Sequence, residues 1–351
     1  MTKPASPLRW GILSTGRIAG VFAKGLAVSR GGRLVAVGSR SAEGAARFAG
    51  EHRIPAAHAH ASYGALLADP DVEAVYIATP HPEHVEWAVK AAGAGKHVLC
   101  EKPAGMNLAE GRRMVDAARR AGVLFMEAFM YRCHPQTEKL VELVRGGAIG
   151  EVKFVQASFG FRSDYDPSSR LWNRALGGGA ILDVGCYPVS LARLIAGAAA
   201  GGAMFADPEE VTGAVAEIRA EGGVDAFAAA TLRFAGGVVA QVACAVGLGI
   251  DNTARVYGSE GWIEVPHPWI ITKSGGGETL RLHRRKATRA EELTLGASNV
   301  YALEADAFTA ACRAGAKAVP AMSPEDTLGN LATLDRWRAA VGLRYPADEA
   351  V

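Results

Sequence analysis

The sequence predicts an α/β protein in two parts, a parallel sheet wound with helices followed by an α/β domain on a mostly antiparallel, open sheet. Three observations carry this. Through the first third of the chain, short apolar runs alternate with helix-length segments, the pattern of strand–helix–strand units and a parallel sheet. After Gly146-Gly147-Ala148-Ile149-Gly150 the strand-like runs follow one another with few helices between them. The length, 351 residues, favours two domains over one.

Taken in order, residues 8–14 form a first strand that meets a turn at Thr15-Gly16, and a helix runs over 17–29. Residues 33–39 are the second strand. Ser41-Ala42-Glu43 then opens an alanine-rich helix, a serine cap with an early acid. His58 marks a short third strand. The fourth, 72–79, is stopped by Pro80 and Pro82, where a helix over 83–94 begins. A fifth strand at 96–100, a helix at 107–121 and a sixth strand at 123–127 complete the first part. Glycine turn, strand order and length together read as a Rossmann domain. Beyond it, strands are expected at 152–161, 211–218, 226–234, 238–246, 253–257, 262–265 and 270–273, with a hairpin through Ala235-Gly236-Gly237. A helix over 177–196 interrupts them. Two helices, 300–314 and 324–341, close the chain, the last with Ser323 as cap and Pro324 at its first position. The domains expected are 1–130, 131–320, and a C-terminal helix, 321–351, packing back near the first domain.

Composition excludes several classes. A net charge of +2 with 21% charged residues argues against nucleic-acid or membrane-surface partners. The one basic cluster, Arg281-Leu282-His283-Arg284-Arg285-Lys286, reads as a solvated strand end or loop. Five scattered cysteines with no Cys-x-x-Cys pair argue against a disulfide framework and structural zinc. The first seven residues lack the apolar stretch of a signal peptide, and no run approaches about 18 apolar residues, so no membrane span is expected. A cytoplasmic location follows.

The first strand–helix turn holds Ser14-Thr15-Gly16-Arg17-Ile18-Ala19 where a dinucleotide fingerprint has Gly-x-Gly-x-x-Gly/Ala. Gly16 permits close approach to a pyrophosphate, Ala19 lets the helix pack on the strand, and Ser14 replaces the first glycine. The second strand ends Gly38-Ser39-Arg40, without the acid that bonds the ribose of NAD. A guanidinium fork and a hydroxyl suit a 2′-phosphate, so NADP is favoured. Thr79, Pro80 and His84 stand at the end of the fourth strand, facing the same cleft. His81 and His84 have no third ligand beside them, and no metal is expected.

The fifth strand runs into Glu101-Lys102-Pro103, a lysine at the carboxyl edge of the sheet, where ligands of open α/β sheets bind. Gly177-Gly178-Gly179-Ala180-Ile181-Leu182-Asp183-Val184-Gly185-Cys186-Tyr187-Pro188 adds a carboxylate and a phenol, four residues apart and so on one helical face. A free phenol titrates near pH ~10, too high for acid–base work at neutrality. A nearby ammonium lowers that value, and Lys102 would supply it if the domains close. Lysine, aspartate and tyrosine together point to proton transfer coupled to hydride transfer. A tyrosine buried by packing and a surface salt bridge is the plainer alternative.

With these motifs the chain resembles the glucose–fructose oxidoreductase, inositol dehydrogenase and MocA family over nearly its whole length. The likeness rests on 13–19, on His84 with Ala88, on 95–103 and on 177–188. It is most similar to the NADP-dependent aldose (xylose) dehydrogenase and dimeric dihydrodiol dehydrogenase branch, with Tyr187 where inositol dehydrogenases have histidine. The resemblance implies a cis Lys102-Pro103 bond, contacts from Glu101 and Lys102 to the nicotinamide end, Tyr187 as general base and Asp183 as a positioner of substrate. It also implies a homo-oligomer through the C-terminal sheet. Tyr131, Arg132, Arg170, Trp172 and Asn173 are candidates to face a small sugar or polyol. The activity implied is oxidation of an aldose at C1 or of a cyclic polyol hydroxyl. Keto-sugar reduction, dihydrodiol oxidation and a non-catalytic NADP(H)-binding regulator are the alternatives.

Overall fold

A computed structural model describes residues 6–201, 204–219, 223–269, 278–296 and 298–349. Six strands make the first sheet: β1 (Leu8–Leu13), β2 (Gly32–Gly38), β3 (Ala59–His60), β4 (Ala74–Ile77), β5 (His97–Glu101) and β6 (Phe125–Ala128). They lie in the order β3-β2-β1-β4-β5-β6, all parallel, the doubly wound order of a dinucleotide-binding sheet. β1, β4 and β5 are almost wholly buried, as apolar runs covered on both faces must be. Helices α1 (Arg17–Leu26), α2 (Ala42–His52), α3 (Tyr63–Leu67), α4 (His84–Gly93) and α5 (Leu108–Ala121) connect them.

Local chemistry sets the ends. Ser41 caps α2 by accepting from the Gly44 N–H, as the sequence predicts. Helix α1 stops short of residue 29 because the Asp306 carboxylate takes the Ser29 hydroxyl and the N–H groups of Arg30 and Gly31. At the sheet edge, His58 and His60 both reach Asp69 Oδ2, at 2.7 and 2.9 Å, and pin the two-residue β3.

The second sheet has eight strands: β7 (Val152–Gly160), β8 (Pro208–Ile218), β9 (Asp225–Phe234), β10 (Val239–Ala245), β11 (Ala254–Gly258), β12 (Gly261–Val265), β13 (Glu278–Arg284) and β14 (Glu291–Leu295). Their order is β14-β13-β12-β11-β7-β10-β9-β8, and only β7 and β10 run parallel. The predicted hairpin joins β9 to β10 through Ala235–Gly237. The strand expected at 270–273 lies outside the described residues. The basic cluster at 281–286, read as a solvated strand end or loop, begins within β13, and β14 was not among the expected strands. Arg281 instead pairs across strands with Glu264 and Glu292. Helix α6 (Pro135–Arg145), also unexpected, begins with His134 accepting from the Gln136 N–H and Pro135 at its first position.

One helical stretch, Arg174–Ala199, is long and apolar enough to cross a membrane by length and composition, and its apolar window is wholly buried in this fold. It contains α7 (Cys186–Ala199), apolar all round because it is a core helix. The last helices are α8 (Val300–Arg313) and α9 (Pro324–Ala340), the latter capped by Ser323 on the Asp326 N–H.

Two compact units emerge, one of 1–105, 109–133 and 299–327, the other of 106–108, 134–298 and 328–351. Residues 299–327 therefore cluster with the first sheet, although the boundaries expected at 130 and 320 put 299–320 with the second. Residues 328–351, expected to return to the first domain, cluster with the second sheet. The reason is visible in side chains: Arg132 and Asp326 pair in the first unit, while Arg338 bonds Asp335, Asp348 and the Met106 carbonyl in the second.

Candidate active site

In the first unit, Ser14 stands at the end of β1 with φ 110°, a conformation that normally calls for glycine. Serine thus takes the backbone shape of the fingerprint's first glycine at some strain. Its N–H donates to the Gly38 carbonyl and its Oγ accepts from the Gly16 N–H at 3.1 Å. Gly16 is the N-cap of α1 and has no side chain to cap the helix. The first N–H groups are left for an anion, and the helix dipole favours one.

Beside this turn lies a cavity of about 420 Å³ lined by Ser14, Thr15, Gly16, Ser39, Arg40 and Arg47, with Tyr63 at one side. Arg17 and Arg40 are exposed, Ile18 half-buried, Ser39 nearly buried. Of the cofactor residues predicted at this end, Ser14, Thr15, Gly16, Ser39 and Arg40 line the cavity, and Arg17 and Ile18 follow in the first turn of α1. Arg47 and Tyr63 were missed. A helix opening at Ser41 places Glu43 and Arg47 four apart on one face, a signal that was present. Tyr63 has a raised pKa, through burial first and the Glu83 charge second.

The Lys102 turn follows β5. Its bond to Pro103 is cis. Three buried or half-buried groups fasten it. Glu101 Oε2 accepts from the Lys102 N–H at 3.2 Å while Oε1 accepts from the Tyr76 hydroxyl. Glu127, fully buried on β6, accepts from the Ala104 N–H at 2.9 Å. His84, 0% exposed, sets Nδ1 3.0 Å from the Pro103 carbonyl and Nε2 2.9 Å from that of Thr79. Burial brings its pKa down to about 4, the carbonyls opposing. His84 reads from the sequence as a cofactor contact or as a packing residue two positions into its helix; it is enclosed and ties two loops together from behind. Thr79 Oγ1 is buried without a protein partner, and Pro80 is half-exposed beside it.

In the second unit the triple glycine has a specific cause. A Cβ at Gly178 would lie 2.6 Å from the carbonyl oxygens of Arg170 and Leu171. Gly179 has φ 103°, and a Cβ there would lie 2.2 Å from Asp225 Oδ1. The backbone is pressed against its own loop and against Asp225, whose Oδ2 accepts from the Ile181 N–H at 2.7 Å. Ile181–Gly185 then forms a π-helical turn that leads into α7, a local widening that occurs often at functional sites.

Asp183 sits in that turn, 3% exposed, and accepts from Arg170 Nη2 at 2.8 Å. Tyr187, in the first turn of α7, meets Phe159 edge-on at 5.1 Å and Trp269 at 5.8 Å. Neither aromatic neighbour was foreseen, since only the sheet brings residues 159 and 269 to α7. Arg170, a sugar-facing candidate, is set beside a predicted catalytic group, donating to Asp183.

The other four candidates are corrected. Tyr131 is 1% exposed, with Phe129 edge-on to its ring. Arg132 is buried and committed to Asp326 Oδ2 at 2.6 Å and to the Ala321 carbonyl. Trp172, 1% exposed, packs against Tyr165 and under the Arg219 guanidinium. Asn173 Oδ1 caps the short turn that follows by accepting from the Ala175 N–H. Tyr131, Arg132 and Trp172 are buried, Trp172 being the core residue of its other reading, and the Asn173 carbonyl oxygen is taken by the turn that follows.

Comparison with known proteins supplies the class. Residues 8–129 match the oxidoreductase family with an NAD-binding Rossmann fold, and 137–264 match the GFO/IDH/MocA C-terminal domain. The mouse (Mus musculus) trans-1,2-dihydrobenzene-1,2-diol dehydrogenase is 36% identical over 97% of this chain and 99% of its own. Among solved structures, aldose-aldose oxidoreductase from Caulobacter crescentus, complexed with glycerol, superposes with TM-score 0.84 at 28% identity, covering 96% of this chain and 98% of that one. A 3-ketoreductase from Actinomadura kijaniata, in complex with NADP and TDP-benzene, gives 0.83 at 28% identity with the same coverage. With its fingerprint turn, its fastened lysine and its aspartate–tyrosine turn, this chain is a member of the GFO/IDH/MocA family of oxidoreductases.

Proposed function

We propose that the protein is an NADP-dependent dehydrogenase that oxidises an aldose at C1 or a hydroxyl of a cyclic polyol or diol. The observation that carries this is that a chain of this family keeps a lysine, an aspartate and a tyrosine suited to proton transfer, Lys102 in its fastened turn in the first unit, Asp183 and Tyr187 each held within the second. A regulator that only bound the dinucleotide would have no use for a proton-transfer set.

The residues fit the cofactor. The N-terminus of α1 and Gly16 suit a pyrophosphate, and Ser39, Arg40 and Arg47 suit a 2′-phosphate. When bound, NADP supplies the two-electron exchange with the substrate carbon. Tyr187 takes the hydroxyl proton in oxidation and returns it in reduction. The Lys102 ammonium stabilises negative charge on the reacting oxygen. Asp183, oriented by Arg170, accepts a hydrogen bond from a neighbouring substrate hydroxyl. The same set serves keto-sugar reduction, which the likeness to the 3-ketoreductase favours as the second reading.

A second copy of the chain is proposed to cover the outer face of the eight-stranded sheet. Phe154, Tyr257, Trp262 and His283 stack in register across β7, β11, β12 and β13, half-exposed. The five cysteines are free thiols, which suits a reducing compartment, the cytoplasm.

The test is absorbance at the reduced-nicotinamide band with NADP⁺, and separately NAD⁺, over aldoses, inositols and dihydrodiols. Turnover with one of these classes and a preference for NADP⁺ is expected. Silence there, and with NADPH and keto-sugars, would sink the proposal.

A further inference from the structure

At the β3 edge of the first sheet stands a cluster that the proposed reaction leaves unused. Among the described residues, one group of histidine, cysteine, aspartate and glutamate side chains brings three donor atoms together: His58, His60 and Asp69, all within 4.8 Å of one another. His58 and His60 flank one extended residue, Ala59, so their side chains fall on the same side of the chain. His58 Nδ1 and His60 Nε2 converge on a single oxygen, Asp69 Oδ2, at 2.7 and 2.9 Å. The Asp69 carboxylate is buried and fixed, its Oδ1 accepting from the Asp71 N–H at 2.8 Å. Both imidazoles are only half-buried. The remaining nitrogen of His58, Nε2, faces Asp71 Oδ2 at 3.8 Å, while Arg9 takes the other oxygen of Asp71. One hydrogen bond suffices to pin a two-residue strand; the second imidazole on the same oxygen completes a set of three ligands.

We propose that His58, His60 and Asp69 form a site for one divalent transition cation of the zinc class, bound through two imidazole nitrogens and one carboxylate oxygen with water in the fourth place. Zinc holds such ligands ~2.0–2.1 Å away, which in a tetrahedron sets the donor atoms ~3.4 Å from one another. The two contacts to Oδ2 therefore need to open by only about 0.6 Å, and the half-buried rings have room to do so. Each neutral ring then binds the ion through the nitrogen now turned to Oδ2 and carries its proton on the other. On His58 that other nitrogen faces Asp71, and a carboxylate behind a ligating histidine is the usual outer partner. Charge alone does not hold an ion here. The Lys96 ammonium bonds the Asp69 and Val72 carbonyls at 2.8 and 2.7 Å, and Arg9, Arg33 and Arg53 line the adjoining cavity of about 450 Å³ with His58 and Asp71. Calcium and magnesium want oxygen ligands, which the site is short of, whereas imidazole nitrogens select zinc and its neighbours. The His60 carbonyl accepts from the Ser39 N–H at 3.0 Å, so an ion in this place braces the strand that abuts the dinucleotide cavity.

The test uses the full chain, stripped with a chelator and titrated with Co²⁺ and with Zn²⁺ alone. One equivalent of Co²⁺ should give the intense visible bands of a four-coordinate site, without the near-ultraviolet thiolate band that cysteine ligation adds. His60→Gln, whose amide still reaches for Asp69, should weaken Zn²⁺ binding by about a hundredfold or more, and Asp71→Asn by about tenfold. Zn²⁺ should raise the thermal midpoint of the wild type and leave that of His60→Gln unmoved. Failure of the wild type to bind either ion overturns the proposal. So does binding that survives His60→Gln or Asp69→Asn at wild-type strength, which would put the ion on other groups. If those variants do not fold, X-ray absorption of the Zn²⁺-loaded wild type decides: two imidazoles with oxygen uphold the site, and sulfur or fewer than two imidazoles sinks it. None of these readouts needs turnover, so the result stands apart from the dehydrogenase reading.

Discussion

At the scale of single residues, burial governs the titrating groups around this site. Asp225 is fully buried against the triple-glycine loop, and burial lifts its pKa to about 7, against the opposing hydrogen bonds of the Ile181 and Ala180 backbone. An unfolded aspartate titrates near ~3.9. Between those values the folded chain holds a proton that the unfolded chain has lost. The stability that this one carboxyl contributes therefore falls as pH rises from about 4 to about 7 and then levels, by an amount on the order of 4 kcal/mol. His84, held down at about 4, contributes in the opposite direction over much of the same range. Asp225→Asn keeps an acceptor for the Ile181 N–H and removes the Asp225 part of the slope. Denaturant unfolding of both proteins at several pH values checks it, and an unchanged slope in the variant would assign the proton elsewhere. Other residues show why charge type alone misleads. Arg132 and Arg170 read alike in sequence as sugar-binding arginines. Only packing shows that the first is locked to Asp326 and the second to Asp183.

At the scale of elements, the strand–helix turns carry the function, and most of them were legible. The runs that became β1, β2, β4, β5 and β6 are apolar because both faces of the sheet are covered, and the caps at Ser41 and Ser323 are local signals. Lys102 and Tyr187 could be picked out because their motifs are contiguous in the chain. What brings Phe159 and Trp269 to Tyr187 is tertiary, and no local pattern announces it. The π-helical turn belongs with these, since Asp225 of β9 accepts from the Ile181 N–H at its start and stands where a Cβ on Gly179 would be. That packing makes an element-level prediction. Gly179→Ala combines a left-handed φ with a 2.2 Å overlap, and should destabilise by ~3 kcal/mol or more. Asp183 would shift with the turn, so kcat should fall in whatever fraction still folds. Thermal unfolding and turnover of the variant measure both, and wild-type values would mean that the turn does not depend on the glycine.

At the scale of the whole molecule, one face of the second sheet is covered by α6 and α7 while the other carries two cross-strand ladders. The aromatic row from Phe154 to His283 runs beside a charged one, in which Arg255, Glu264, Arg281 and Glu292 alternate. The charged row explains why this part of the sequence reads as solvated surface, and the aromatic row is why a second copy is proposed to cover it. Trp262→Glu should then give a monomer by light scattering, with helix and strand content retained. An unaltered mass would remove this face as the interface. The proposed mechanism centres on Lys102, in a turn fastened by Glu101, Glu127 and His84. The most direct measurement is the kcat of Lys102→Ala with NADP⁺ and the substrate that the wild type turns over. A fall of roughly a thousandfold, with the fold and NADP⁺ binding kept, is predicted. Turnover near that of the wild type would contradict the mechanism at its centre.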